Sequence, residues 1–146
     1  MKILLVRLSS LGDVIHNLPI VADIKKNFPD AQVDWVVEEA YAPLLKLHPD
    51  IHRVIPIGLR RWRTQLKSLK NWSLVRDEYK ALKKILQTDA YDFIFDTQGL
   101  LKSAVIMRIA RLNSTPHQHG QRIGLANATE DSGYEPASRF FHDRSI

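Results

Sequence analysis

The chain has 146 residues, 45% of them hydrophobic, and carries 21 Lys and Arg against 16 Asp and Glu, a formal net charge of +5 with no cysteine. That length suits a single globular domain burying roughly 70% of its unfolded surface without covalent staples, and the lack of Cys excludes thiol chemistry, disulfide frameworks and thiolate metal sites. The basic balance favours acidic partners such as phosphate, carboxylate or an anionic surface, but it falls short of a nucleic-acid coat, so no nucleic-acid partner is expected.

Lys2 to Leu8 is an apolar run with charged flanks, the pattern of a strand buried on both faces. Its core, Ile3 to Val6, has a strand's length rather than a membrane span's, and no charged leader precedes an apolar segment of signal-peptide length, which predicts an intracellular protein. The turn Ser9-Ser10-Leu11-Gly12-Asp13 then opens a helical face of Val14, Leu18, Val21, Ile24 and Phe28, which Pro19 should break near Asn17. Gln32 to Val37 reads as a second strand, with Val33, Trp35 and Val37 alternating against Gln32 and Asp34. A short helix over Tyr41 to Leu47 precedes a third strand, Arg53 to Ile57, whose Pro56 marks a sheet edge or a strand end.

Gly58 to Arg63 is expected as a basic loop. Val75, Tyr79, Leu82 and Leu86 step through a helix between Asn71 and Gln87, with Lys80, Lys83 and Lys84 on its other face. Asp92 to Asp96 is a fourth strand, Leu101 to Leu112 a further helix, and Arg122 to Leu125 a fifth strand. After a polar stretch from Ala126, Pro136 begins a short helical turn that ends near Phe141. The alternation predicts an α/β fold, a Rossmann-like parallel sheet of five strands with helices on both faces, over residues 1–125, with 126–146 as loop and short helix, an interdomain or truncated segment. Ligands bind such sheets beyond the carboxyl ends of the strands, at Ser9 to Asp13, Glu38 to Ala40, Gly58 to Arg63 and Thr97 to Lys102.

The first turn holds one glycine, Gly12, and so lacks the G-x-G-x-x-G pattern, while no phosphate-binding G-x-x-x-x-G-K-[ST] occurs anywhere. It does offer two hydroxyls, Ser9 and Ser10, and the carboxylate of Asp13 at a helix start, where Asp13 is equally a helix cap or a functional group. Arg60-Arg61-Trp62-Arg63 presents guanidinium forks suited to carboxylate or phosphate, although a run of charge is commonly a solvated face. Trp62 could pack over the sheet edge, stack on a guanidinium or cover a sugar ring. Asp96-Thr97-Gln98-Gly99, with Lys102 and Ser103 following, joins a strand to a helix. A response-regulator reading fails because Leu8-Ser9 stands where its acidic pair belongs. Of the six histidines only His117 and His119 lie close together, and without a neighbouring carboxylate they predict no metal site.

Taken in order, Ser9-Ser10-Leu11-Gly12-Asp13-Val14-Ile15-His16, Leu18-Pro19, Phe28-Pro29, Asp34-Trp35-Val36-Val37-Glu38-Glu39, Arg53-Val54-Ile55-Pro56-Ile57, Arg60-Arg61-Trp62-Arg63 and Asp96-Thr97-Gln98-Gly99-Leu100-Leu101-Lys102-Ser103-Ala104 resemble the lipopolysaccharide heptosyltransferase I family. The resemblance runs from Met1 to about Ile123 and thins after Leu125. It implies the N-terminal domain of a GT-B glycosyltransferase that moves heptose from ADP-heptose to a Kdo sugar of the lipopolysaccharide inner core, at the cytoplasmic side of the inner membrane. No metal or other cofactor is implied, and ADP-heptose would be held by a C-terminal domain that this chain lacks. By this resemblance the catalytic base is Asp13 and the acceptor-side basic residues are Arg60, Arg61 and Arg63; Ser9, Ser10, Gly12, Gln98, Lys102 and Arg122 are expected beside them on the Kdo-lipid A acceptor. The expected reaction is a single inverting displacement through an oxocarbenium-like state. The alternative is a non-catalytic, truncated anion-binding module.

Overall fold

The computed structural model describes residues 1–115, 118–125 and 135–145. The main sheet is built from β1 (Lys2–Val6), β2 (Gln32–Glu38), β3 (Ile51–Ile57), β4 (Phe93–Asp96), β7 (Gln121–Gly124) and the two-residue β8 (Arg144–Ser145), in the order β3-β2-β1-β4-β7-β8. Every neighbouring pair is parallel, so the expected sheet stands, with a sixth strand added at one edge. β5 (Ser114–Thr115) and β6 (Gln118–His119) form a separate antiparallel pair. Pro56 lies in the edge strand β3, where its missing N–H costs no ladder bond on the open side.

The helices are α1 (Leu11–His16), α2 (Leu18–Asn27), α3 (Ala42–Leu45), α4 (Leu59–Gln65), α5 (Trp72–Thr88) and α6 (Leu101–Ile109), with 3-10 turns at Leu69–Asn71 and Pro136–Phe141. The first helical segment breaks at Asn17, as Pro19 predicts, and Asn17 folds its amide back onto the Asp13 carbonyl at 2.9 Å. One core, on the face covered by α1, α2 and α3, gathers Ile3, Leu5, Val14, Val33, Trp35 and Leu45. The other, under α4, α5 and α6, gathers Leu4, Val6, Val36, Ile57, Leu86 and Met107. Odd and even residues of β1 thus face different cores, as expected of a strand buried on both sides.

Two expectations are corrected. Gly58 to Arg63 is no loop: Trp62 N–H bonds back to the Gly58 carbonyl at 2.8 Å, and Arg60 to Arg63 lie on α4. Nor does β2 alternate between apolar and solvated positions, since Asp34 is only 3% exposed. Its carboxylate takes the Arg53 guanidinium at 2.5 Å, the Tyr91 hydroxyl at 2.8 Å and lies 2.9 Å from His52 Nδ1. Those partners replace the water that a buried carboxylate loses.

Residues 126–134 and 146 of the polar C-terminal stretch lie outside the described residues, as does His117. The part from 135 to 145 docks on the sheet. Glu135 accepts the N–H of Leu101 at 2.6 Å, capping α6, and Asp143 accepts the N–H of Arg122 at 2.8 Å.

Candidate active site at the carboxyl edge of the sheet

Strand β1 delivers its chain into a corner built around Asp13. Asp13 sits in the first turn of α1, one third exposed, and a single oxygen, Oδ2, accepts the Ser10 N–H at 2.8 Å and the Ser10 hydroxyl at 3.1 Å. The same oxygen lies 3.0 Å from Nη2 of Arg7. Among the described residues Oδ1 has no hydrogen-bond partner, so one oxygen of the carboxylate is anchored and the other is not. Burial opposes its ionisation, but the Ser10 N–H, the Arg7 charge and the Ser10 hydroxyl outweigh that cost and hold the carboxyl below its ordinary range. The sequence places this carboxylate at a helix start, but its main electrostatic partner is Arg7, which sequence reasoning passed over.

Arg7 is itself 7% exposed, and its position is fixed from several sides. Its carbonyl accepts Trp35 Nε1 at 3.2 Å, its N–H reaches Val36 at 3.3 Å, and its Nη1 donates to the Thr97 carbonyl. A guanidinium held this way links the ends of β1 and β4 to the carboxylate. The Ser9–Ser10 peptide between them is cis.

The end of β4 completes the corner. Gln98 is buried; its Oε1 accepts the Leu8 N–H at 2.9 Å and its amide lies 3.3 Å from Ser9 Oγ. Lys102 Nζ donates to the same Ser9 oxygen at 3.2 Å. Asp96 holds the turn rather than facing a ligand, taking the N–H groups of Gln98 and Gly99 at 2.9 and 3.2 Å and the Ser103 hydroxyl at 3.0 Å. Gly99 is needed here, because its φ of 71° suits a residue without Cβ. Gly12 is different: a Cβ there would meet nothing within 4 Å, so the chain's own packing does not demand glycine.

Glu38, at the end of β2, heads one of the expected ligand-side segments but is not among the site residues expected from the sequence. It is 3% exposed, accepts the Arg60 N–H at 3.2 Å, and is pushed up by burial, a shift that Arg60 and Lys102 partly offset. The four residues of the basic stretch part company on α4. Arg60 lies over the Tyr41 ring, 5.6 Å from its centroid, and is exposed beside Glu38. Arg61 is spent on Glu39 at 3.0 Å and Glu78 at 2.9 Å, Trp62 packs into the core with its indole N–H on Glu78, and Arg63 is exposed. Arg122 points elsewhere, its guanidinium bonding the Met107 and Ala110 carbonyls at the end of α6 at 3.4 and 3.1 Å. Ser9, Ser10, Gly12, Asp13, Gln98 and Lys102 therefore share one corner, Arg60 lies beside Glu38 on α4, Arg63 is exposed on the same helix, and Arg61 and Arg122 tie elements together.

A parallel sheet covered on both faces, with an anchored carboxylate beyond its strand ends, defines a Rossmann-like α/β domain with a candidate site at the carboxyl edge. No family model matches the chain. Its particular likeness is to lipopolysaccharide heptosyltransferase 1: it is 43% identical over 97% of its length to that protein of Pseudomonas aeruginosa, and 38% identical over 99% of its length to that of Escherichia coli, covering 36% and 41% of them. The E. coli heptosyltransferase WaaC solved with ADP superposes on the whole chain with a TM-score of 0.81 at 35% identity. A glycosyl transferase family 9 structure from Veillonella parvula, at 16% identity and a TM-score of 0.66, shares the fold. The chain thus spans about two fifths of the length of the relatives it matches.

Proposed function

We propose that the chain is the acceptor-binding part of an inverting heptosyltransferase, joining heptose from ADP-heptose to a Kdo sugar of the lipopolysaccharide inner core. The observation that carries this reading is the half-anchored Asp13: Arg7 and Ser10 hold Oδ2, while Oδ1 is left for the attacking hydroxyl. The carboxylate works by position rather than by raised basicity. Its anchored oxygen fixes the direction in which Oδ1 accepts the proton as the acceptor oxygen bonds to the anomeric carbon and the ADP phosphate leaves on the opposite face. The negative charge also stabilises the oxocarbenium-like transition state. Ser9, Ser10 and Gln98 orient the acceptor sugar, and Gly12 leaves room for it. Arg60, Arg63 and Lys102 hold its carboxylates and phosphates. Arg61 and Arg122 support that surface from behind by fixing α4 to α5 and α6 to β7. ADP-heptose is held by residues of the relatives' kind that lie outside this chain, and no metal ion takes part.

Among the described residues no helix is long and apolar enough to cross a membrane, and the reading places the protein on the cytoplasmic face of the inner membrane as a peripheral partner. The test is a chimera in which this chain replaces the matched segment of the E. coli relative, assayed for ADP release with ADP-heptose and Kdo-lipid A. Transfer that Asp13→Asn lowers by at least about 100-fold, with the KM for ADP-heptose little changed, supports the base assignment. A chimera that binds the acceptor and transfers nothing marks a binding module instead.

A further inference from the structure

α4, α5 and α6 lie over one face of the sheet. They leave an open groove of about 840 Å³, within the roughly 300–1,000 Å³ range of small-molecule sites. One wall is Trp62, Leu66 and Trp72, the other Val105 and Ile109. Leu66, Trp72 and Val105 are 46%, 55% and 40% exposed, side chains that a solvated surface would scatter and that here sit together. The groove is lined by no acidic residue; its two charged members, Arg76 and Lys102, are both cations. Lys102 also bonds Ser9 Oγ at 3.2 Å, so the apolar groove and the Asp13 corner meet at one ammonium group.

We infer that this groove takes an acyl chain of the anionic acceptor lipid, whose head group lies at the Ser9–Lys102 corner. The inference rests on the reading of that corner as an acceptor site and adds where the lipid's apolar part goes. Two observations choose this occupant. The groove's lining holds no carboxylate, and while Arg76 is ion-paired with Asp77 at 3.5 Å, Lys102 has no salt bridge among the described residues, which matches an anionic amphiphile; the groove is also continuous with the corner through Lys102. A lipid bound across both would lay its phosphate or carboxylate against Lys102 and its chain between α4 and α6, a fixed reach that orients the sugar toward Asp13.

The experiment uses the 146-residue chain and n-alkyl phosphates of increasing chain length, below their critical micelle concentrations, with inorganic phosphate and neutral alkyl glucosides as controls. Trp62 and Trp72 line the groove and the remaining tryptophan, Trp35, is buried in the opposite core, so quenching by chains brominated at their far end reports occupancy. Saturable quenching whose affinity rises about 3- to 4-fold per methylene supports the inference, as does weaker binding of the glucosides. Val105→Asp should abolish the chain-length dependence, and Lys102→Ala should bring the alkyl phosphates down to the glucoside level. Circular dichroism checks that both variants fold, and Leu66→Asp serves as a second groove variant if Val105→Asp does not. Affinity that ignores chain length, or quenching unchanged by both groove variants, overturns it. So does self-association that Val105→Asp removes, which assigns the groove to a second copy. Because no sugar donor is used, a chimera that transfers heptose without chain-dependent binding refutes the groove alone. Chain-dependent binding beside a chimera that neither binds Kdo-lipid A nor transfers refutes the heptosyltransferase reading and leaves a site for anionic amphiphiles.

Discussion

Replacing Asp13 should weaken the fold as well as any chemistry, because the carboxylate is the counter-charge of a buried guanidinium. Arg7 has a side chain 8% exposed and Asp13 one 34% exposed. Breaking a fully buried pair costs about 3–5 kcal/mol, and the partial exposure of Asp13 brings this toward the lower end or below it, about 2 kcal/mol. Loss of the hydrogen bonds from Ser10 at the head of α1 adds roughly 0.5–1 kcal/mol. Asp13→Ala should therefore destabilise by about 2.5–3 kcal/mol, lowering a urea midpoint by roughly 1.7–2 M at an m-value near 1.5 kcal/mol/M. Asp13→Asn, which keeps an acceptor for the Ser10 N–H, should lose about half as much. The folded carboxyl titrates below its ordinary value near 3.8, so its contribution is fully present above that pH and is lost as pH falls through the folded value. The gap between wild type and Asp13→Asn should accordingly be constant from pH 5 to 7 and shrink in strong acid. Urea unfolding followed by circular dichroism across pH measures both. An Asp13→Ala protein as stable as wild type at pH 7 would show that Arg7 is satisfied without its partner.

Gly12→Ala should stabilise the chain by about 0.5–1 kcal/mol, seen as a higher melting temperature, because a Cβ there meets nothing within 4 Å, and on the proposed acceptor reading it should weaken Kdo-lipid A binding. At Gly124 a Cβ would lie 1.8 Å from His142 Cε1, so Gly124→Ala must expel that ring; it should cost about 1–3 kcal/mol and speed tryptic cleavage after Arg139. Glu38 has the opposite sign to Asp13. Its carboxyl titrates above its ordinary value, so its ionisation costs stability as pH rises through that window, and Glu38→Gln should be the more stable protein at pH 7, by up to about 1 kcal/mol, with the advantage fading below pH 4 in the same urea assay.

The fold was legible where burial follows local periodicity. β1, the break at Pro19, the edge position of Pro56 and the face of α5 all depend on residues a few positions apart, and each is where the spacing puts it. What depends on distant partners was not legible. Asp34 looks like the polar half of an alternating strand, and only Arg53 and Tyr91, brought from two other elements, make its burial tolerable. Arg7 and Glu38 carry the same lesson at the site: each lies at a strand's carboxyl end, a position that sequence can mark, but their pairing with Asp13 and Arg60 is set by the sheet's order. Strand β8 follows a polar stretch and holds two residues, too few for any periodic signal.

The basic stretch shows how much a single change of backbone state alters a site. In a loop Arg60, Arg61 and Arg63 could converge on one anion, but a helix turns successive residues by about 100°, so four in a row point in four directions. Trp62 takes the direction into the core, and Leu59 and Leu66, one turn before and after it, follow it there and into the groove. Arg61, turned aside, meets Glu39 and Glu78 and becomes a brace between β2, α4 and α5, which also lowers the Glu78 carboxyl. Arg60 is left beside Glu38 and Tyr41, and Arg63 in solvent. The three arginines therefore have unequal work: Arg61 stabilises the platform, while Arg60 and Arg63 are the cations an incoming anion can reach. Because Trp62 ties α4 to the core on one side and Arg61 ties it to acidic residues on the other, those two cations stand on a rigid element.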